Sequence, residues 1–184
     1  MLYTGKGDDG TTKTFGCDQR ISKSSAIAEA LGSLDEINSF LGLCKIKSEK
    51  ENLMFSDGVI SSEVVLDIQK NLFIIQAELA GSEMSITEDK IKYIEKIIND
   101  IEKELPPIKS FFISGGTKLA VLFDISRTIV RRAERRVVEV SEEGKVKVSD
   151  FSKAYLNRLS SLFYALARLT NHKFGITEDS PDYK

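Results

Sequence analysis

Five stretches of this chain carry apolar residues at three- and four-residue spacing, with almost no alternation of apolar and polar residues between them. Ile27, Leu31, Leu34, Ile37 and Leu41 form the first stripe, and Val65, Ile68, Leu72, Ile75 and Leu79 the second. Ile91, Ile94, Ile97, Ile98 and Ile101 form the third, and Ile125, Ile129, Ala133 and Val137 the fourth. The fifth is Phe151, Tyr155, Leu159, Leu162, Phe163, Leu166 and Leu169. This period puts each set on one face of an α-helix. It predicts helices over 24–44 (capped by Ser24 or Ser25), 62–80, a third capped by Thr87 and closed by Pro106-Pro107, then 117–140 and 150–170. Asp57-Gly58 and Glu142-Glu143-Gly144-Lys145 mark connections. The predicted fold class is therefore all-α, a five-helix bundle preceded by a Gly-rich loop.

At 184 residues the chain is read as one domain. Its predicted parts are a loop at 1–23, a bundle at 24–171 and a mobile tail at 172–184. A net charge of −2 argues against a general nucleic-acid binder. Cys17 and Cys44 have no metal-like spacing and are read as inert free thiols of a reduced, cytoplasmic setting. One histidine, His172, makes a His-based triad or a His-rich zinc site improbable; it is read as incidental, near a helix C-terminus. No run of about 18 apolar residues suggests a membrane span, and the first residues show no apolar signal region.

Chemistry concentrates in two places. In the fourth helix Arg127, Arg131, Glu134 and Arg135 fall at i, i+4, i+7 and i+8, which puts three guanidiniums around one carboxylate. Like charges one turn apart repel, a polyanion relieves that repulsion, and Arg binds phosphate through a planar fork of donors. The plainer reading is a solvated face with intrahelical ion pairs. At the N-terminus, Thr4-Gly5-Lys6-Gly7-Asp8-Asp9-Gly10-Thr11-Thr12-Lys13 sets three glycines among hydroxyls and lysines. Freed backbone N–H groups there can surround an anion, although the Walker spacing is missing; a flexible tail is the alternative. Phe111-Phe112-Ile113 precedes Ser114-Gly115-Gly116, an extended loop entering the fourth helix, in which one Phe should pack and the other face out. Asp35 and Asn38 lie off the first stripe, and Asn157 sits mid-helix, where an Asn is mildly unfavourable.

Four ordered blocks resemble the trimeric, PduO-type ATP:corrinoid (cobalamin) adenosyltransferases. They are Thr4 to Thr12, Glu29-Ala30-Leu31-Gly32-Ser33-Leu34-Asp35-Glu36-Ile37-Asn38-Ser39, Arg127 to Arg136, and Tyr155-Leu156-Asn157-Arg158-Leu159-Ser160. The resemblance covers nearly the whole chain. It implies a homotrimer with ATP at each subunit interface, a corrinoid beside it, and Mg²⁺ carried mainly by the phosphates. It further implies that Thr4, Gly5, Lys6, Gly7, Thr11, Thr12, Lys13 and Lys23 wrap the triphosphate. Arg131, Arg132, Glu134, Arg135 and Asn157 would hold the nucleotide, Asp35 and Arg127 would pair across subunits, and Phe111 would lie under the corrin ring. Catalysis would fall to Phe111, Asp35, Arg127 and Arg131. A cobalamin reductase and an adenosylcobalamin-dependent enzyme are the implied partners. Ser114 stands where the family usually has Pro, which puts the rigidity of that loop in question.

The reaction so implied needs no protein nucleophile, because cob(I)alamin itself attacks C5′ of ATP and displaces triphosphate. The protein supplies positioning and stabilises charge on the leaving group. A non-catalytic ATP-binding regulatory module and a purely structural helical protein are the competing readings.

Overall fold

The computed structural model describes residues 2–14, 19–55 and 58–183. Two short antiparallel strands, β1 (Thr11–Lys13) and β2 (Arg20–Ser22), precede five helices. These are α1 (Ala26–Glu51), α2 (Ser61–Leu79), α3 (Glu88–Glu104), α4 (Lys118–Glu143) and α5 (Asp150–Lys173). The core runs in the order α2, α1, α4, α5, α3, each helix packing on the next. α2 also reaches α5: Asn71 of α2 donates to the Tyr155 hydroxyl of α5 at 2.9 Å, and Glu78 of α2 accepts from the N–H of Ser149, the cap of α5, at 2.7 Å.

Most of the predicted stripes are the core. Leu34, Ile37, Leu41, Ile68, Leu72, Ile75, Leu159, Leu162 and Leu166 are fully buried, each worth about 1.5–3 kcal/mol over its exposed state. The Phe123 and Phe163 rings stack at 6.4 Å between α4 and α5. Ser25 caps α1, accepting from the Ala28 N–H at 3.4 Å, and Thr117 caps α4, accepting from Ala120 at 3.1 Å.

Several expectations need correction. The first helix continues to Glu51, seven residues past the predicted end, because Lys45–Glu49 and Lys47–Glu51 pair at i,i+4 along what composition marks as a polar connection. Asn52 then closes it in the left-handed region at φ 48°. Thr87 occupies the cap position of α3, but its side chain accepts no bond from the helix. Phe151 is exposed rather than inward. Asn38 is buried, not off the packed face, where its amide donates to the Gln69 carbonyl at 3.1 Å.

The stripe of α4 is also different. Its buried stripe runs through Leu119, Phe123, Ser126, Val130, Ala133, Val137 and Val140, alternating steps of four and three, with Ala120 and Asp124 buried beside it. A strict step of four drifts by about 40° each time, since a residue turns through about 100°. Ile125, at the start of the predicted series, has accordingly rotated to 40% exposure.

Candidate active site

That rotation decides where the arginines of α4 point. Arg127, Arg131 and Glu134 each follow a buried residue by one position, so they line the side turned towards α5. Arg132 and Arg136 emerge on the opposite side, towards α1: Arg132 pairs with Glu36, and Arg136 lies 3.8 Å from Glu29. Arg132, expected among the nucleotide ligands, is thus placed apart from Arg131.

On the α5 side Arg131, Glu134, Arg135 and Asn157 line a shallow pocket of about 330 Å³, with Val138, Glu139 and Glu142 completing its wall. The Asn157 amide donates to Glu134 Oε1 at 3.0 Å, and its own oxygen accepts from Arg158 at 2.9 Å. This chain of bonds explains an Asn in the middle of α5: it orients the Glu134 carboxylate beside the arginines. Arg131 and Arg135 are exposed, and among the described residues neither has an ion-pair partner. Two unpaired guanidiniums at a concave surface suit an anion with several oxygens.

Next to this pocket lies a larger groove of about 1080 Å³, walled by Phe111, Phe112, Arg127, Tyr164 and Arg168. Arg131 belongs to both spaces. Phe111 is 77% exposed while Phe112 is half-buried, so one of the adjacent rings packs and the other faces out, as expected. Arg127 pairs within its own helix, at 3.9 Å from Asp124. Asp35 is exposed on α1, and among the described residues it has no ion-pair partner. The two are therefore not brought together within one chain.

The Gly-rich N-terminus forms an ordered turn and hairpin. Lys23 Nζ donates to the Gly7 carbonyl at 2.7 Å, and a Cβ on Gly7 would meet that Nζ at 3.0 Å. Gly5 and Gly10 take φ of +66° and +78°, angles that favour glycine. Arg20 is the hub: it donates to the carbonyls of Lys6 and Thr11 and to the Thr11 hydroxyl. Asp9 accepts from the Thr11 hydroxyl at 2.7 Å and from the Thr11 N–H at 3.0 Å. These bonds, with Arg20 nearby, hold its carboxyl below the usual carboxylate range. Thr4, Lys6, Lys13 and Lys23 are left at or near the surface of this segment.

Sequence reasoning missed Arg20, Arg168 and Asn171. The signal for Arg168 was legible: it interrupts Leu166-Ala167-Arg168-Leu169, where a charge falls inside an apolar run. Arg20 left no comparable sign. The C-terminal segment expected to be a mobile tail contacts the groove loop, with the Ile113 N–H donating to the Asp179 carbonyl at 2.8 Å. Cys44 is buried, and burial pushes its thiol up to about 11, which keeps it protonated and unreactive. Cys17 lies outside the described residues.

A protein-family model described as cobalamin adenosyltransferase matches residues 2–170. The corrinoid adenosyltransferase of Bacillus subtilis (strain 168) is 38% identical over 179 residues, covering 95% of this chain and 89% of that protein. The corrinoid adenosyltransferase PduO of Citrobacter freundii is 36% identical across 93% of this chain, which spans only 50% of that longer protein. Among solved structures, a Phe-to-Ala variant of the PduO-type ATP:corrinoid adenosyltransferase from Lactobacillus reuteri, complexed with cobalamin and ATP, superposes with a TM-score of 0.85. It is 29% identical, with 98% of this chain and 99% of that chain covered. Sequence and fold agree, and the chain belongs to the cobalamin adenosyltransferase family.

Proposed function

We propose that this protein transfers the 5′-deoxyadenosyl group of ATP to the cobalt of cob(I)alamin or a related corrinoid, releasing triphosphate. The cobalt(I) electron pair forms the Co–C5′ bond as the C5′–O bond breaks, and that pair leaves on the triphosphate. The observation that carries this reading is the position of Arg131, shared by a polar anion pocket and a groove with an exposed aromatic ring at its mouth. One guanidinium at that junction can hold the leaving phosphates beside the attacking cobalt, which combines positioning with charge stabilisation.

Within that reading, Arg131, Arg135 and Asn157 bind the nucleotide, and Glu134 orients the guanidiniums. Glu134 lies among the phosphate-binding arginines, with Glu139 and Glu142 further along the wall, and would partly neutralise a Mg²⁺ carried chiefly by the phosphates. Phe111 sits against the lower corrin face, where a bulky ring that cannot coordinate metal excludes water and the lower axial ligand. Cobalt(II) without that ligand is easier to reduce.

The assembly we propose is a homotrimer. The N-terminal hairpin precedes α1, while the anion pocket lies on the face of α4 turned away from α1. Placing the hairpin of one subunit on the pocket of the next completes the triphosphate site, and the unpaired Asp35 can then meet Arg127 of a neighbour. A cytoplasmic setting, a supplying cobalamin reductase and a receiving adenosylcobalamin-dependent enzyme follow from the same reading. The test is anaerobic incubation with ATP and cob(I)alamin, followed by absorbance. Formation of adenosylcobalamin supports the function; ATP binding without product would leave a non-catalytic nucleotide module.

A further inference from the structure

Beneath the groove lies a buried charge cluster that the reaction as described does not use. Arg168 of α5 is 2% exposed. Its Nη2 donates to Asp124 Oδ2 of α4 at 2.9 Å, and its Nε lies 2.7 Å from Glu178 Oε1 of the C-terminal segment. The guanidinium sits 5.5 Å from the Phe112 ring centroid and 5.0 Å from that of Tyr164. Asp124 also neighbours Arg127, whose Nε is buried and makes no hydrogen bond among the described residues.

We propose that Arg168 is a positioning residue for adenosyl transfer: through Phe112 and Asp124 it sets the places of Phe111 and Arg127 at the groove. The proposal rests on the function given above. Its alternative is a simple staple between α4 and α5, for which the Asp124 pair alone would suffice. Instead its contacts to Phe112, Asp124 and Tyr164 all go to residues that line the groove, and Glu178 adds the C-terminal segment that pins the loop. Two ring faces plus two carboxylates require a planar, forked cation, which Lys cannot imitate.

The link from Phe112 to Phe111 is the backbone itself. With the Phe112 ring held against Arg168, the adjacent residue is turned outward, and Phe111 stands in water at 77% exposure. The loop is pinned on both sides of this pair. Ser110 and Ser180 hydroxyls meet at 2.9 Å, and the Ile113 N–H bonds the Asp179 carbonyl. Asn171 donates to the Gly115 carbonyl at 3.0 Å and to Glu178 at 2.7 Å, while its oxygen accepts from the Thr117 N–H. Gly116 has φ +92°, and a Cβ there would clash with the Asn171 side-chain amide, so the backbone closes directly onto that side chain. A large apolar ring held out to solvent by this many ties is preorganised for a ligand rather than collapsed onto the protein.

The test compares wild type, Arg168→Lys and Glu178→Ala. Each is assayed for kcat and KM towards ATP and cob(I)alamin, for the optical spectrum of cob(II)alamin bound with ATP, and for amide exchange across 110–117. The expected result is a roughly tenfold loss in kcat/KM for the corrinoid with the KM for ATP unchanged, a smaller four-coordinate fraction, and faster exchange at Ile113. Glu178→Ala keeps the buried Asp124 pair, so it decides the matter if Arg168→Lys does not fold. Wild-type spectra and corrinoid kinetics in a folded variant would overturn the proposal. If wild type itself makes no adenosylcobalamin, the function reading fails. Exchange at Ile113 then decides separately: acceleration supports the positioning role of Arg168, and its lack overturns it.

Discussion

Two loops are assigned to the proposed reaction site, one within the chain and one from a neighbour, and they are held by opposite means. The 110–117 loop is tied to a buried cluster: Arg168 is 2% exposed, and Asn171 bonds the backbone on either side of Gly116. The N-terminal hairpin is tied by exposed or half-exposed groups, chiefly Arg20 and Lys23 on its own carbonyls. Buried charge-assisted bonds are costly to open, whereas exposed ones compete with water. The first loop is therefore suited to hold one residue rigidly, and the second to rearrange around a nucleotide and a neighbouring subunit.

The sharpest way to break this contrast is Phe111→Ala. Turnover starting from cob(II)alamin should fall by about a hundredfold or more, an effect of about 2.7 kcal/mol on the barrier. ATP binding should stay near wild type. The melting temperature should barely move, because Phe111 is 77% exposed, whereas a buried Phe would cost about 3–5 kcal/mol. A large drop in melting temperature, or an unchanged four-coordinate spectrum, would show that the exposed ring is not what meets the corrin.

Arg131→Ala tests the junction between pocket and groove. Loss of one charge-assisted contact to the leaving triphosphate costs about 1.5–3 kcal/mol, or roughly ten- to a hundredfold in turnover. Folding should survive, since Arg131 is exposed and off the buried stripe. Steady-state kinetics and thermal melting check both halves, and wild-type kinetics would remove the triphosphate role.

Asp35→Asn tests whether α1 of one chain meets α4 of the next, the contact that would bring the hairpin onto a neighbour's pocket. A close charge pair across an interface couples by about 1.5 kcal/mol or more, so about tenfold more protein should be needed to keep the assembly together. Sedimentation of wild type and variant from micromolar concentration downwards measures it. A wild-type protein that sediments as a monomer would remove the trimer from the argument altogether.

Helix periodicity made the bundle legible, because a buried face must repeat with the turn of the helix whatever the tertiary details. Helix ends were less so: the extension to Glu51 depends on i,i+4 ion pairs inside a segment whose composition reads as a connection. On α4 the strict four-residue series pointed to Ile125, while the real face follows Phe123, Ser126 and Val130. The chemistry-bearing residues Arg131, Glu134, Arg135 and Asn157 were legible as types, and the structure gathers them into one pocket. Arg168 and Arg20 were not chosen, because their partners are far away in sequence or are backbone carbonyls. Asp124 lies 44 residues from Arg168, and no local pattern encodes that pairing.

Arg20→Ala gives the smallest expected effect and the cleanest test of the hairpin. Arg20 bridges the Lys6 carbonyl, the Thr11 carbonyl and the Thr11 hydroxyl, joining the Gly-rich turn to β1. Without it the turn at 4–10 loses the cation that ties the Lys6 carbonyl to β1, and its conformation is less ordered before ATP arrives. That order would then be imposed by ATP on binding. The cost should appear in KM for ATP, about tenfold for one lost charge-assisted anchor. The kcat at saturating ATP should be nearly unchanged, because the bound state is the same. The melting temperature without ATP should hardly shift, since the hairpin adds little to the core, while the stabilisation gained from a fixed ATP concentration should shrink. Kinetics over a range of ATP concentrations, with paired melts, measure all three. A fall in kcat with KM intact would mean that Arg20 touches the transition state directly, and the hairpin would then be as rigid a part of the site as the 110–117 loop.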